Sequence, residues 1–288
     1  DPAAAVTNVT DTLDTSTVSL TATPTTAEGG NVVYTASVNA PVTGKDVIVT
    51  LANGEKITIA VGESTASITV KAPNDALVGH EPLTNAIKDV TGGNYENLVA
   101  DKTPTSTAIS DTPDTTKVTM TASDYVVEGG TITYTVNLSN AAGTDMTVKL
   151  SNGESVVIKA GDKSSSITVP APADDVYKDG SKITVGIAST DGGNFEKLDV
   201  SNTTHTTTVN DTVDTTTLKL SSDVSTVGEG GQITYTATLS NPADTAMTVT
   251  LNNGLVINIK AGESSGSALY TVPNDVYTGA SPVRAAIA

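Results

Sequence analysis

The sequence has no cysteine and no tryptophan, and its single phenylalanine is Phe195. Without cysteine, neither disulfides nor thiolate metal sites can stabilise the fold, so any cross-link has to be non-covalent. Aromatic residues make up only 3% of the chain, while hydrophobic residues as a whole make up 37%. This composition suits the thin cores of β-sandwiches, built from Val, Ile, Leu and Ala, and argues against a bulky enzyme interior.

Basic residues are also scarce: 15 Lys and Arg stand against 32 Asp and Glu, giving a formal net charge of −17. A surface of this sign repels nucleic acid and anionic membranes and favours cations as partners. The sequence has no run of 18 apolar residues, and residues 1–10 have neither the basic nor the apolar region of a signal peptide. We therefore expect no nucleic-acid partner and no direct insertion into a membrane.

Residues with catalytic chemistry are few. The two histidines, His80 and His205, occupy positions that do not correspond between repeats, and neither has a partner at motif spacing. The sequence also has no phosphate-binding loop, dinucleotide fingerprint, zinc-protease motif or EF-hand loop. A Ser-His-Asp set or another catalytic site is therefore not expected, and the sequence predicts that the chain is not an enzyme.

The sequence repeats itself with a period of about 100 residues. Asp-Thr-x-Asp-Thr begins at Asp11, Asp111 and Asp211, and Glu-Gly-Gly begins at Glu28, Glu128 and Glu229. A period of this length indicates a serial array of domains that each fold alone. We predict repeats at 13–112, 113–212 and 213–288. We expect residues 1–12 to be the closing strand of a preceding repeat plus a linker, and the third repeat to stop before its last strand, which leaves a strand edge unpaired.

Within each repeat the hydrophobic period is two. In Thr131–Ser139, apolar and polar residues alternate, as expected for a half-buried strand. Another strand runs to Asn53-Gly54, a hairpin signal in which both turn positions take a positive φ. Counting similar segments gives about seven strands per repeat, predicted at Val18–Thr23, Ser67–Lys71, Leu83–Val90 and Thr103–Ser110 among others. The sequence therefore predicts an all-β fold of tandem immunoglobulin-like Greek-key β-sandwich domains in an elongated array.

Acidic residues recur in the three loops that an immunoglobulin topology places at one end of the sandwich. Like charges held there would repel by about 2 to 4 kcal/mol per pair at an effective dielectric near 20, so we expect either raised pKa values or a bound cation. Calcium accepts six to eight oxygens in irregular arrangements and is the predicted ion. The alternative is a solvated linker with Asx-turns beside a simple Glu-Gly-Gly turn. The predicted calcium ligands are Asp11, Asp14, Glu28, Asp75, Asp111, Asp114, Glu128, Asp174, Asp175, Asp211, Asp214, Glu229 and Asp275.

The ordered set of motifs resembles a known family. The Asp-Thr-x-Asp-Thr linkers, the Glu-Gly-Gly loops, the Asn-Gly hairpins and the Gly-Gly-Asn-Tyr/Phe-Glu segments ending at Glu96 and Glu196 resemble the extender repeats of giant RTX adhesins, such as those of biofilm-forming pseudomonads. The resemblance implies a cell-surface protein exported by type I secretion, with domains that bind calcium near their junctions and grow rigid. The glycine-rich nonapeptide repeat, the retention module and the secretion signal of that family are absent from this sequence, so it would be extender only.

The expected function is mechanical. A stalk of calcium-stiffened repeats would carry a distal ligand-binding region that attaches to abiotic or cell surfaces and supports biofilm formation, with neighbouring repeats as the chain's own partners. A second hypothesis is a module that itself binds a glycan or a receptor, but such sites usually show aromatic platforms, and this sequence has few aromatic residues. A third is a spacer attached to a secreted enzyme.

Overall fold

A computed structural model describes residues 4–201, 204–279 and 281–288. Residues 1–3, the start of the predicted closing strand of a preceding repeat, lie outside the described residues, and residues 4–14 form no strand. The described residues form strands, turns and coil without any helix, which confirms the predicted all-β class. Accordingly, no helix in the described part of the chain is long and apolar enough to span a bilayer.

The first repeat contributes ten strands. They are β1 (Thr15–Ala22), β2 (Thr25–Ala27), β3 (Asn31–Val38), β4 (Val47–Leu51), β5 (Lys56–Ile59), β6 (Thr65–Lys71), β7 (Leu83–Asn85), β8 (Ile87–Gly92), β9 (Asn97–Ala100) and β10 (Thr105–Ser110). One sheet has the order β6-β3-β1-β9. The strands opposite it form two short sheets, β2-β10-β7 and β5-β4-β8.

The core of the first repeat follows from the alternation along its strands. In β3, Val32, Tyr34, Ala36 and Val38 are buried, while the residues between them are exposed or half-buried. Side chains of successive strand residues point to opposite faces, so one face of each sheet closes over the core and the Thr-rich face remains in solvent. The fully buried residues of the opposite strands include Val49, Leu51, Ile57 and Ile59.

The second and third repeats follow the same order with fewer strands among their described residues. The second has β11 (Thr115–Ala122), β12 (Tyr125–Val127), β13 (Thr131–Leu138), β14 (Met146–Leu150), β15 (Ser155–Ile158), β16 (Ser164–Pro170), β17 (Ser181–Gly192), β18 (Lys197–Asp199) and β19 (Thr204–Asn210). The third has β20 (Leu218–Ser222), β21 (Gln232–Leu239), β22 (Met247–Thr250), β23 (Val256–Ile259) and β24 (Ser265–Thr271). In the third repeat, β20-β21-β24 form one sheet and β22-β23 another.

Two parallel pairings are shared by the first and second repeats. The short strand β2 pairs parallel with the closing strand β10, and β12 pairs in the same way with β19. The first long strand, β1, pairs parallel with β9, and β11 pairs likewise with β18. The chain thus changes sheets between β1 and β2, and this crossing places the following Glu-Gly-Gly turn beside the end of the closing strand.

The described residues of the chain divide into two compact units. The first unit consists of Asp1–Met120, Thr135–Ser166 and Gly186–Thr204. The second unit consists of Thr121–Tyr134, Ile167–Val185 and His205–Ala288. The dividing line passes through the second repeat. The predicted domain bounds at 13–112, 113–212 and 213–288 therefore stay a prediction.

Several local predictions differ from the structure. The predicted strand Leu83–Val90 is interrupted at Ala86, where the chain passes from the sheet of β7 to that of β8 and the Ala86 N–H donates to the buried Asn85 side chain at 3.0 Å. The strands β2 and β9 were not predicted, since three or four residues are too short to show a clear alternation. The Asn53-Gly54 hairpin exists, but of its two turn residues only Gly54 has a positive φ, at 91°. The prediction that both turn residues have a positive φ was therefore wrong.

Candidate metal centre

Backbone hydrogen bonds fix the Glu28 turn between two other loops. Glu28 N donates to the oxygen of Ser110 at 3.0 Å, which ties the turn to the end of β10. Gly29 N donates to the oxygen of Pro73 at 3.0 Å, which ties it to the loop after β6. Gly29 has a φ of 60°, so the chain can reverse tightly at this point. The three loops predicted to share one end of the sandwich are therefore in direct contact.

The Glu28 carboxylate is buried, with 6% of the residue exposed, and it accepts bonds from two backbone N–H groups. Thr112 N donates to Oε2 at 3.0 Å and Asp75 N donates to Oε1 at 3.4 Å. The bond from Thr112 is the largest cause that holds the pKa of Glu28 below its usual value, against the opposing effect of burial. Glu28 is therefore held in its charged form at neutral pH.

His80 lies against this carboxylate. Its Nε2 is hydrogen-bonded to Oε1 of Glu28 and lies 3.8 Å from Oδ1 of Asp75. Burial lowers the pKa of His80, but the hydrogen bond to Glu28 and the charges of Asp75 and Asp111 outweigh it, so the pKa is raised. Glu28, Asp75 and His80 each offer a ligand atom within 4.8 Å of the other two.

A carboxylate from the following repeat completes the first centre. Glu196 accepts a hydrogen bond from Asp114 N at 2.6 Å, and its Oε1 is buried without a hydrogen-bond partner among the described residues. Glu28, Asp111 and Glu196 also offer ligand atoms within 4.8 Å of one another. The hydrogen bond from Asp114 lowers the pKa of Glu196, but burial and the neighbouring Glu28 together raise it by more, so the pKa lies above its usual value.

A second centre occupies the corresponding place one repeat later. Glu128 N donates to the oxygen of Asn210 at 3.1 Å, as Glu28 N does to Ser110. Glu128, Asp179 and Asp211 offer ligand atoms within 4.8 Å of one another. Burial raises the pKa of Glu128, and the charges of Asp179, Asp175 and Asp211 raise it further. No histidine belongs to this group, so its described members are all carboxylates.

Two buried oxygens of the second centre lack partners. Glu128 is 9% exposed, and its Oε2 has no hydrogen bond among the described residues. The Oδ1 atom of Asp211 is likewise buried without a hydrogen bond among the described residues. Buried polar atoms are nearly always paired, and an unpaired carboxylate oxygen beside other carboxylates is costly. A hard cation would satisfy both oxygens.

Each centre lies next to a direct contact between consecutive repeats. At the first, Val78 N donates to Asn194 O at 2.9 Å and Glu196 N donates to Ala76 O at 3.1 Å, on either side of a β-bridge between Leu77 and Phe195. At the second, the Tyr177 hydroxyl donates to Pro242 O at 3.3 Å. The two groups that could hold a metal ion therefore lie where one repeat meets the next.

The structure brings some of the predicted ligands together and leaves others apart. Glu28, Asp75 and Asp111 share the first centre, and Glu128 and Asp211 share the second. The predicted ligand Asp114 belongs to neither group among the described residues, and its Oδ2 accepts a hydrogen bond from Asn74 Nδ2 at 3.0 Å. Among the described residues, no metal-binding group includes Asp11, Asp14, Asp174, Asp175, Asp214, Glu229 or Asp275.

Three members of these groups were not predicted. Glu196 carried a signal, because the same glutamate recurs at Glu96 in the Gly-Gly-Asn-Tyr/Phe-Glu segment, and Glu96 accepts the Asp14 N–H as Glu196 accepts that of Asp114. His80 and Asp179 carried none. They lie in the loop before the closing half of each repeat, at positions that differ by one residue from the repeat period.

A protein-family domain matches the chain three times, at the same period of about 100 residues. Residues 14–112, 114–212 and 214–288 each match the LapA domain. No curated protein matches the chain significantly.

Two solved structures show a weak likeness. The cryo-EM reconstruction of the native conformation of E. coli alpha-2-macroglobulin is 11% identical over 92% of this chain and 21% of that one, with a TM-score of 0.23. The crystal structure of dimeric latent PorU from Porphyromonas gingivalis is 10% identical over 90% of this chain and 31% of that one, with a TM-score of 0.18. The chain thus spans less than a third of the length of either protein, and a likeness this weak carries no argument about function.

The three domain matches cover nearly the whole sequence, and their boundaries fall in the Asp-Thr-x-Asp-Thr linkers that carry Asp114 and Asp214. By these matches the chain belongs to the LapA-domain family.

Proposed function

We propose that this chain is a calcium-stiffened extender segment of a cell-surface adhesin. Membership of the LapA-domain family supports an adhesion repeat rather than an enzyme, and an extracellular or cell-surface location. The repeats would hold a distal ligand-binding region away from the cell, for surface attachment and biofilm formation. The export route that we propose is type I secretion, on the strength of the resemblance to RTX adhesins.

The observation that carries the calcium proposal is the unpaired Glu128 Oε2. This oxygen is buried beside the carboxylates of Asp179 and Asp211, and the group contains no positively charged side chain to balance them. Carboxylate oxygens are hard ligands, and calcium tolerates irregular sets of them together with backbone oxygens and water. Magnesium requires a near-octahedral set and fits less readily.

The stiffening proposal depends on which parts of the chain supply the ligands. At the first centre, Glu28 belongs to one repeat, Asp111 to the linker and Glu196 to the next repeat. An ion held by all three would oppose bending at the linker, because bending would pull a ligand away from it. Calcium is scarce in the cytosol, so the chain would remain looser before export and stiffen outside the cell.

Isothermal titration of the 288-residue chain with calcium tests this function. We expect dissociation constants of about 10⁻⁴–10⁻³ M, the range of extracellular calcium-binding modules. Magnesium at equal concentration should bind more weakly, and Glu128→Gln should remove the binding at the second centre while leaving that at the first. Absence of calcium binding at millimolar concentrations would refute the proposal. A glycan array probed with the same chain should stay negative, whereas a specific signal would favour a ligand-binding module.

A further inference from the structure

The first centre contains an imidazole ring beside its carboxylates. Nε2 of His80 is hydrogen-bonded to Oε1 of Glu28 and lies 3.8 Å from Oδ1 of Asp75. These three side chains form a group of their own, in which each offers a ligand atom within 4.8 Å of the other two. Calcium prefers oxygen ligands, whereas zinc, copper and nickel bind imidazole nitrogen together with carboxylate oxygen. The nitrogen in this group is therefore typical of a different class of ion.

The spacing of the ligand atoms suits an ion of that class. Zinc bound tetrahedrally at about 2.0–2.1 Å keeps its ligand atoms about 3.3 Å apart. The 3.8 Å between Nε2 of His80 and Oδ1 of Asp75 is close to this value. The contact between His80 and Glu28 is a hydrogen bond, which an ion that enters between them would replace. The backbone thus already places the three ligand atoms around one point.

Backbone hydrogen bonds orient both carboxylates of the group. Leu77 N donates to Oδ1 of Asp75 at 2.7 Å. The N–H groups of Asp75 and Thr112 donate to the two oxygens of Glu28, at 3.4 Å and 3.0 Å. Hydrogen bonds of this kind hold the ligands of metal sites in position and raise the affinity for the ion.

The group is buried on one side and open on the other. The side chain of Glu28 is fully buried and that of His80 is 13% exposed, whereas that of Asp75 is 48% exposed. A buried carboxylate is costly unless it is paired with a cation or with hydrogen-bond donors. The open side allows an ion to enter and lets water complete the coordination, as in zinc sites with three protein ligands.

The corresponding group of the second repeat has no histidine. Its described members are Glu128, Asp179 and Asp211, all of which offer oxygen. The other histidine of the chain, His205, lies 3.3 Å from Oδ1 of Asp124 and belongs to no metal-binding group among the described residues. A site for a nitrogen-binding ion is therefore expected in the first repeat and not in the second.

We propose that Glu28, Asp75 and His80 bind a divalent ion that takes mixed nitrogen and oxygen ligands, such as zinc. His80 contributes Nε2, Glu28 and Asp75 contribute one carboxylate oxygen each, and water completes the coordination from the exposed side. All three ligands belong to the first repeat, so the site forms within one repeat. Zinc binding does not depend on calcium or on the proposed function.

The zinc site has a consequence for calcium at the same junction. Glu28 also belongs to the group with Asp111 and Glu196, to which the proposed function assigns calcium. Two divalent ions that share one carboxylate repel each other at short distance. Zinc should therefore weaken calcium binding at the first centre and leave the second centre unchanged. This consequence, unlike the zinc site itself, rests on the proposed function.

Titration calorimetry of the 288-residue chain with zinc in calcium-free buffer tests the site. We expect zinc to bind, and Asp75→Asn should weaken the binding at least about tenfold because it removes a charged ligand. This variant keeps the oxygen that accepts Leu77 N, so the loop should fold normally. Asp175→Asn is the matched control, since Asp175 Oδ1 accepts Tyr177 N in the same way, and it should bind zinc like the parent chain.

The two histidines allow the nitrogen ligand to be identified by NMR. Zinc should shift the imidazole resonances of His80 and leave those of His205 unchanged. His205→Gln assigns the signals and should bind zinc like the parent chain, whereas His80→Gln should bind it at least about tenfold more weakly. Zinc binding of equal strength in His80→Gln and the parent chain, or no binding at millimolar zinc, would overturn the proposal and leave His80 and Glu28 as a hydrogen-bonded pair. If zinc binds as expected and calcium does not bind, the proposed function fails and the zinc site stands.

Discussion

The carboxylate of Glu28 accepts a hydrogen bond from the backbone N–H of Thr112 at 3.0 Å, although 84 residues separate the two. The bond joins the turn after β2 to the linker that leads into the next repeat. The corresponding Glu128 is also buried, but its Oε2 has no partner among the described residues. The pKa is therefore lowered at Glu28 and raised at Glu128, and the two centres should respond differently to the same substitution.

Replacing each glutamate by glutamine should change stability in opposite directions when calcium is removed. Glu28→Gln weakens hydrogen bonds to a charged acceptor, which contribute about 1.5–3 kcal/mol, and should lower the melting temperature of its repeat. Glu128→Gln removes a buried charge from the neighbourhood of Asp179 and Asp211 and should raise it. Calorimetry in a chelating buffer measures both. Shifts of equal sign in the two variants would contradict the contrast drawn between the centres.

The two centres should bind calcium with unequal affinity. At the first centre calcium has to displace His80 from Glu28, whereas at the second centre Glu128 Oε2 has no partner to lose among the described residues. Because binding at the second centre breaks no ion pair, we expect calcium to bind there at least about tenfold more tightly. Titration calorimetry of the whole chain should resolve two classes of site.

A substitution at His80 provides the matched variant. His80→Asp supplies the carboxylate that Asp179 supplies at the second centre, and it should bring the first affinity close to the second. His80→Ala removes the competing side chain without adding a ligand and should have a smaller effect. Two identical sites in the parent chain, or no change with His80→Asp, would argue against the assignment of these ligands.

The buried threonines of the closing strands should be needed for stability. Thr107→Val keeps the shape of the side chain but leaves the oxygen of Thr23 without its donor, at a cost of about 1–3 kcal/mol. The equivalent change at Thr207 should have the same effect on the second repeat. Denaturant unfolding measures the loss, and Thr107→Ser, which keeps the hydroxyl, should lose less. A valine variant as stable as the parent chain would contradict the role of this hydrogen bond.

Much of the architecture could be predicted because the repeat period fixes it. Alternation of apolar and polar residues in segments such as Thr131–Ser139 predicted the strands. Acidic residues recur at the same loops of each repeat, and this predicted that Glu28 and Asp111 meet. Glu196 escaped prediction because it comes from the neighbouring repeat, and sequence spacing alone does not tell how consecutive domains approach each other. His80 and Asp179 lie in corresponding loops whose paths are set by the strands around them, so their positions could not be predicted from the repeat period. The metal-binding roles of all these residues remain predictions.

The most direct test of the account measures how freely consecutive repeats move. Lys56 and Lys149 are exposed residues of the first and second repeats, and replacing both with cysteine allows spin labels on a chain that has no other cysteine. Pulsed electron paramagnetic resonance then gives the distribution of distances between the labels with calcium and with chelator. We predict a narrow distribution in calcium that broadens in chelator, and a broad one in both conditions with Glu196→Gln, which neutralises the ligand that the second repeat supplies. Distributions of equal width in calcium and in chelator would contradict the claim that an ion bound by Glu28, Asp111 and Glu196 holds the repeats in place.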